Sequence, residues 1–380
     1  MTQQFSQRIA SSLELRKRQG LHRQLSAVSN GNTTSLRKYN QEFVNFSSND
    51  YLGLAADKSL AKAWQKGIDI YGNGSGASPL VTGFSYAHQA LEERLCTWLG
   101  YSRAILFSSG FSANQAMLFA LMEKQDLLLQ DKLNHASLIE AGLLCPASMK
   151  RFHHNDISHL ENQIAGNTLV VTEGVFSMDG DLSPLADIAK ATQGKAWLAV
   201  DDAHGIGVLG EEGKGSCQRA GIKPQLLVVT FGKAFGLSGA AIMCDEMTGE
   251  YLTQFARHHV YSTAIPPSQA HALNEAVNII ASQQWRRDKL FELYHYYDQQ
   301  LGTLPGYQYT QTPIKPVVVG DAAQSIQLAS DLKQKGLWLT AIRPPTVAKG
   351  KARLRITLTT NHTKQQVEQL ATELHSLIEG

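Results

Sequence analysis

The chain has almost no excess charge: 35 basic residues stand against 33 acidic ones, a formal net charge of +2 over 380 residues. Nucleic-acid binders carry a marked basic surplus, so this balance argues against such a partner. Charged residues are only 18% of the total, too few for a chain held open by self-repulsion, and the 43% hydrophobic share is enough for a large core. Cysteine is scarce too. Cys96, Cys145, Cys217 and Cys244 are far apart and form no C-x-x-C pair, which argues against a structural zinc site. Their scatter suits reduced thiols of the cytosol better than a disulfide framework. No stretch approaches the roughly 18 apolar residues of a membrane span. The opening MTQQFSQRIASSLELRKRQG lacks the apolar segment of a secretory signal. The expectation is a cytoplasmic protein with no metal, no membrane and no nucleic-acid partner.

Residues 1–25 read as an amphipathic helix, with Phe5, Ile9 and Leu13 as an apolar stripe and Arg16 to Arg18 as a basic end. Such a helix is expected to pack on the body of the protein. Residues 26–46 read as loop and short strands, with a turn at Asn30-Gly31-Asn32. From about residue 100 to 245, short apolar runs alternate with helical stretches, at 104–107, 127–129, 169–172, 196–200, 226–230 and 239–244. Runs apolar throughout suit a sheet buried on both faces, the α/β layered architecture. After Pro266-Pro267, residues 268–302 and 324–335 read as helical, 313–320, 337–342 and 352–358 as strands, and 363–378 as a last helix. The expected division is an N-terminal helix and arm at 1–46, a large domain at 47–267 and a smaller α+β domain at 268–380.

In open α/β sheets, ligands bind beyond the carboxyl ends of the strands. Here the run at 104–107 is followed by Ser108-Ser109-Gly110-Phe111, and that at 169–172 by Glu173, Ser177 and Asp179. The run at 196–200 leads into Asp201-Asp202-Ala203-His204, and the next ends in Thr230, Gly232 and Lys233. Four polar strand ends together favour one small-molecule site. Ser109-Gly110 at a strand-to-helix turn offers free N–H groups and a helix dipole to an anion, although a plain cap by Ser109 explains the turn equally well. Of Asp201 and Asp202, only one can point at a given ligand, because successive side chains alternate. The pair reads either as a helix cap beside a solvated acid or as one carboxylate set against a cationic ring nitrogen. Lys233 lies among Phe231, Gly232, Ala234, Phe235 and Gly236 at the end of a core strand, far from a lysine's usual place on the surface. Making a free lysine half neutral near pH 7.5 costs about 4 kcal/mol. Condensation with an aldehyde cofactor avoids that cost, and a lysine Schiff base with an acid partner for the ring nitrogen is the expected pyridoxal-phosphate arrangement.

These residues carry a specific resemblance. D-D-A-H at 201–204, followed by T-F-G-K-A-F-G at 230–236, resembles the fold-type-I pyridoxal-phosphate enzymes and, among them, the α-oxoamine synthases. F-S-S-N-D-Y-L-G-L at 46–54, T-E-G-V-F-S-M-D-G-D at 172–181 and Y-S-T-A-I-P-P at 261–267 extend it, and T-A-I-R-P-P-T-V at 340–347 points to the biotin-pathway branch. The resemblance covers about residues 40–360. It implies an α/β fold: a large domain with a mostly parallel seven-stranded sheet between helices, plus a smaller α+β C-terminal domain. Lys233 would carry pyridoxal 5'-phosphate and, once displaced, serve as the base for the α-proton. Asp201 would pair with the ring nitrogen, His204 would bond the ring hydroxyl, and His135 would stack on the ring and help position substrate. Ser109, Gly110, Phe111 and Thr230 would hold the phosphate, and Ser177 would also touch the cofactor. Ser262 and Thr263 would reach the cofactor of the neighbouring subunit, which makes the active unit a homodimer. Arg343 would take the amino-acid carboxylate, with Arg23, Asn49 and Thr346 as further substrate contacts. The implied reaction is the decarboxylative condensation of L-alanine with a pimeloyl thioester, on CoA or on a carrier protein. The rivals are a relative that uses glycine with a short acyl-CoA, and a non-catalytic α/β binding protein.

Other features carry less. Gly72-Asn73-Gly74-Ser75-Gly76 lacks the order of a dinucleotide loop and reads as a flexible loop. The adjacent pairs His153-His154 and His258-His259 make poor metal clamps. Lys349, Lys351, Arg353 and Arg355, alternating on an expected strand, read as a solvated face.

Overall fold

Six apolar runs and one polar run supply the strands of the central sheet. The computed structural model describes residues 2–31 and 33–380, so Met1 and Asn32, the last residue of the expected turn, lie outside it. In chain order, α1 (Thr2–Arg18) leads to the hairpin of β1 (Ser35–Lys38) and β2 (Gln41–Asn45), then to α2 (Lys58–Tyr71) and α3 (Tyr86–Leu99). Next come β3 (Arg103–Phe107), α4 (Gly110–Leu121), β4 (Leu127–Asp131), α5 (Ala136–Leu144), β5 (Ser148–Phe152) and α6 (Ile157–Glu161). They are followed by β6 (Thr168–Glu173), α7 (Leu185–Thr192), β7 (Trp197–Asp201), α8 (Ser216–Arg219), β8 (Leu226–Thr230) and β9 (Ala240–Cys244). The seven strands lie in the order β3-β9-β8-β7-β6-β4-β5, and β9 alone runs against its neighbours. This is the mostly parallel sheet that the sequence led us to expect.

The sheet forms because its strands have apolar side chains on both faces. Ile105, Leu128, Val171 and Val228 enter one core, while Leu106, Leu129, Val170 and Val229 enter the other, the two-residue alternation of a pleated strand. β5 is the strand that the apolar runs did not include. Its Ser148, Lys150 and Arg151 are exposed, as suits an edge strand that must discourage further pairing.

The rest of the chain comprises α9 (Glu246–Phe255), α10 (Arg257–Val260), α11 (Pro267–Ser282), α12 (Gln284–Leu301), β10 (Ile314–Gly320), α13 (Ala322–Gln334), β11 (Leu337–Trp338), β12 (Thr340–Ile342), β13 (Ala352–Thr357) and α14 (Lys364–Glu379). The helical stretch 268–302 is thus two helices, broken at Gln283, and α11 packs on α2 and α3. The expected strand 337–342 is also two. β12 joins β10 and β13, whereas β11 pairs in parallel with β2, Leu337 opposite Val44. The N-terminal arm and the C-terminal region therefore share a small sheet. α1 departs from expectation: it stops at Arg18, where three basic residues complement the helix dipole, and Gly20 follows at φ 66°. Its stripe of Phe5, Ile9 and Leu13 is at least half exposed rather than packed on its own chain. Among the described residues, no helix is long and apolar enough to cross a membrane.

Candidate active site

Since all strands but β9 run the same way, the ends of β3, β4, β6, β7 and β8 open on one rim, and a cavity of about 310 Å³ lies there. Ser109 follows β3 and caps α4, its Oγ accepting from the Ser112 N–H at 3.1 Å. The cap does not exclude an anion site. The N–H groups of Gly110 and Phe111, in the first turn, have no carbonyl four residues back to bond. Thr230, at the end of β8, turns a buried hydroxyl without a partner towards the same wall. A Cβ on Gly110 would stand 2.5 Å from Thr230 Cγ2, so only glycine fits there.

The two aspartates at the end of β7 part company. Asp201 lines the cavity and accepts hydrogen bonds from Asn114 Nδ2 at 2.7 Å and the Ala203 N–H at 3.0 Å. Asp202 turns away to the Ser216 N–H at 2.7 Å and the Ser216 hydroxyl at 2.5 Å, and burial pushes its carboxyl up to about 7. Glu173, at the end of β6, lies opposite Asp201 in the strand register. Burial first, and then the Asp201 charge, raise its carboxyl well above the usual range, and its Oε1 has no partner. His135 caps α5, its Nδ1 accepting from the Ser137 N–H at 3.2 Å, and burial lowers its basicity.

Lys233 Nζ lies 2.9 Å from His204 Nε2. Burial brings the Lys233 amine down to about 8 against the opposing pull of Asp201 and Glu173. Burial, then the Lys233 charge, holds His204 well below its ordinary value, so the ring is neutral. With Nε2 accepting from the amine, its proton sits on Nδ1 and is donated to the Tyr51 hydroxyl oxygen at 2.6 Å. Tyr51 in turn donates to Asn49 Oδ1 at 3.3 Å, and burial pushes its phenol up to about 12. Arg355 completes the chain: Nη1 donates to Asn49 Oδ1 at 3.1 Å and Nε to the Ser177 carbonyl at 2.6 Å, while Nη2 has no hydrogen bond among the described residues.

The cavity thus gathers Asn49, Ser109, Gly110, Phe111, His135, Asp201, His204, Thr230 and Lys233. Ser177 adjoins this group through its carbonyl. Two sets lie elsewhere. Ser262 and Thr263 line a small cleft that touches the first only at Ser108. Arg23, Arg343 and Thr346 line a third cleft, of about 440 Å³, together with Arg16 and His22. Asn114 and Tyr51 were not singled out in the sequence, and Glu173 was seen there only as a polar strand end. Arg353 and Arg355 correct the sequence reading, because both are buried rather than solvated. They project from β13, the central strand of its sheet, onto the 177–179 loop, where Arg353 pairs with Asp179. Their alternation on one strand face was visible. Their partners, some 175 residues away, were not.

Residues 41–374 match the family model of the class I and II aminotransferases. The chain is 62% identical to the 8-amino-7-oxononanoate synthase of Vibrio campbellii over 97% of both chains. The chain belongs to the class I and II aminotransferase family, on its 8-amino-7-oxononanoate synthase branch. The synthase of Vibrio cholerae is 59% identical across 100% of this chain and 99% of its own. Among solved structures, the serine palmitoyltransferase of Sphingomonas wittichii superposes with a TM-score of 0.90 at 28% identity, covering 98% of this chain and 97% of that one. The 8-amino-7-oxononanoate synthase of Francisella tularensis gives a TM-score of 0.79 at 31% identity, covering 89% and 98%.

Proposed function

We propose that this enzyme joins L-alanine to a pimeloyl thioester, carried by CoA or by a carrier protein. The alanine carboxylate leaves as carbon dioxide, and 8-amino-7-oxononanoate and free CoA or carrier protein are released. The observation that carries the reading is the meeting of Lys233, Asp201, His135 and the start of α4 in one cavity.

The residues fit pyridoxal 5'-phosphate. The partnerless Thr230 hydroxyl, the free N–H groups of Gly110 and Phe111 and the bare Cα of Gly110 suit a phosphate. Asp201 suits a protonated ring nitrogen, and Lys233 suits the aldehyde carbon. When bound, the cofactor supplies an electron-withdrawing ring for the alanine Cα.

Around it, Asn114 and the Ala203 N–H fix the Asp201 carboxylate at the ring nitrogen. His204 Nε2 would meet the ring hydroxyl, and His135 would cover the ring face. Lys233 Nζ removes the alanine Cα proton. An amine brought down to about 8 has a neutral fraction at neutral pH large enough for that task. Arg355, rather than Arg343, takes the alanine carboxylate, because it stands at Asn49 with Nη2 unpaired while Arg343 lines another cleft. A guanidinium so placed suits a bidentate bond. Arg343, Arg23 and Thr346 then serve the thioester substrate. Ser262 and Thr263 serve the cofactor of a second copy in a homodimer. Exposed Tyr261, next to them in the chain, and exposed Leu80, Val81 and Tyr86, which flank Pro79 and Phe84 of the same cleft, support a surface that another copy covers.

Mass analysis of the product from alanine and pimeloyl-CoA tests the reading. It predicts 8-amino-7-oxononanoate with stoichiometric carbon dioxide. Turnover of glycine with a short acyl-CoA in preference to this pair would overturn it.

A further inference from the structure

The mechanism above leaves one buried ionisable group of the cavity without a task. Glu173 and Asp201 are register partners on adjacent parallel strands, so their side chains leave the same face of the sheet, from backbones about 4.8 Å apart. Both line the cavity. Their surroundings differ sharply. Asp201 accepts two hydrogen bonds, whereas Glu173 Oε1 is buried and accepts none. On the same wall Asn114 Oδ1 is a second buried acceptor without a donor. With the His135 N–H as its one donor, a carboxylate at Glu173 would leave Oε1 a bare acceptor beside that of Asn114, and would set a second negative charge beside Asp201. A carboxylic acid there supplies an O–H donor and no charge, which meets both needs.

We propose that Glu173 is the neutral member of a two-carboxyl unit at the acid end of the cavity, a positioning residue that leaves Asp201 as the one negative charge presented to the cofactor ring. The inference rests on the pyridoxal-phosphate reading of the site. The groups that face Glu173 are Asp201 from β7, Lys233 after β8, His135 at the start of α5 and Asp131 from β4, while Asp202 is turned to Ser216. Burial and the Asp201 charge both hold the proton on Glu173, and the Lys233 charge and the His135 backbone N–H oppose them. As pH rises, Glu173 loses that proton and sets a new negative charge beside Asp201, which changes the field at the ring. The absorbance of bound cofactor therefore has an alkaline step that belongs to Glu173. Asp202 also ionises within reach, so the step has to be assigned by substitution.

The experiment uses holoenzyme and compares E173Q, E173A and D202N with the parent. Infrared spectra taken below the alkaline step should contain a protonated-carboxyl band that E173Q loses and D202N keeps. The alkaline absorbance step should vanish in E173Q and persist in D202N. Cofactor affinity should stay within about threefold in E173Q, which keeps shape and neutrality, and fall by about tenfold or more in E173A. An E173Q protein with the parental infrared band and absorbance titration would overturn the inference, as would loss of cofactor affinity in E173Q equal to that in E173A. A parent protein with no cofactor absorbance at all would instead overturn the pyridoxal-phosphate reading.

Discussion

The strand-end cavity and the arm cleft are built in different ways. In the cavity the polar groups hold one another: Asp201 is gripped by Asn114 and Ala203, His204 lies between Lys233 and Tyr51, and Asn49 accepts from Tyr51 and Arg355. In the arm cleft Arg23, Arg343 and Thr346 come from opposite ends of the chain, and their side chains make no hydrogen bond among the described residues. The first is preorganised, the condition under which dipoles and charges act on a reaction. The second has to be ordered by whatever binds there, which costs affinity rather than chemistry. Substitutions in the cavity should therefore change kcat and cofactor binding, and substitutions in the cleft should change KM.

Lys233→Ala should have the largest effect. Turnover should fall by on the order of 10³-fold or more, with loss of cofactor absorbance, in a protein whose circular dichroism is unchanged. The contrast between the two arginines comes next. Arg355→Ala should lower kcat/KM for alanine by about 10²-fold or more, the effect of removing a buried charge from its ionic partner. Arg343→Ala should leave the alanine KM alone and raise that of the thioester about tenfold. Steady-state kinetics with each substrate varied decide it, and a reversal would return the carboxylate to Arg343. Gly110→Ala should follow, weakening cofactor binding about tenfold by fluorescence titration, because the new Cβ meets Thr230 Cγ2 at 2.5 Å.

The smallest effect concerns a support outside both sites. His154 joins Asp131 and Asp181, with Nδ1 at 3.0 Å and Nε2 at 2.7 Å. It ties the turn after β5 to the loops that carry His135 and Ser177. Burial alone would lower its basicity, but the hydrogen bonds to the two carboxylates overcome that and raise it to about 10. A group raised on folding stabilises fully below its unfolded value of about 6.5, and the stabilisation fades as pH rises through about 10. His154→Gln should thus cost about 1–2 kcal/mol at pH 7 by urea unfolding, and the difference should shrink above pH 10.

The same contrast governs what the sequence could reveal. The six core strands were legible because burial on both faces leaves an unbroken apolar run. β5 was not, since an edge strand keeps Lys150 and Arg151 for solvent. Alternation restricted the acid to one of Asp201 and Asp202, and the geometry of Ser216 decides between them. Arg355 was misread because a charged side chain on a strand is ordinarily solvated, and the carbonyl and amide that bury it come from Ser177 and Asn49. Glu173 stood in plain view at a strand end, but nothing local said that Asp201 would lie beside it. Groups fixed by local pattern could be read. Groups fixed by a meeting of distant segments could not.

The central claim is that the enclosed amine of Lys233 is the anchor of the cavity. Borohydride reduction of the holoenzyme, followed by peptide mass mapping, tests it most directly. The account predicts a stable pyridoxyl-phosphate adduct on the peptide that contains Lys233 and on no other lysine peptide. An adduct on a different lysine, or reduction that leaves every lysine unmodified while the cofactor remains bound, would contradict it.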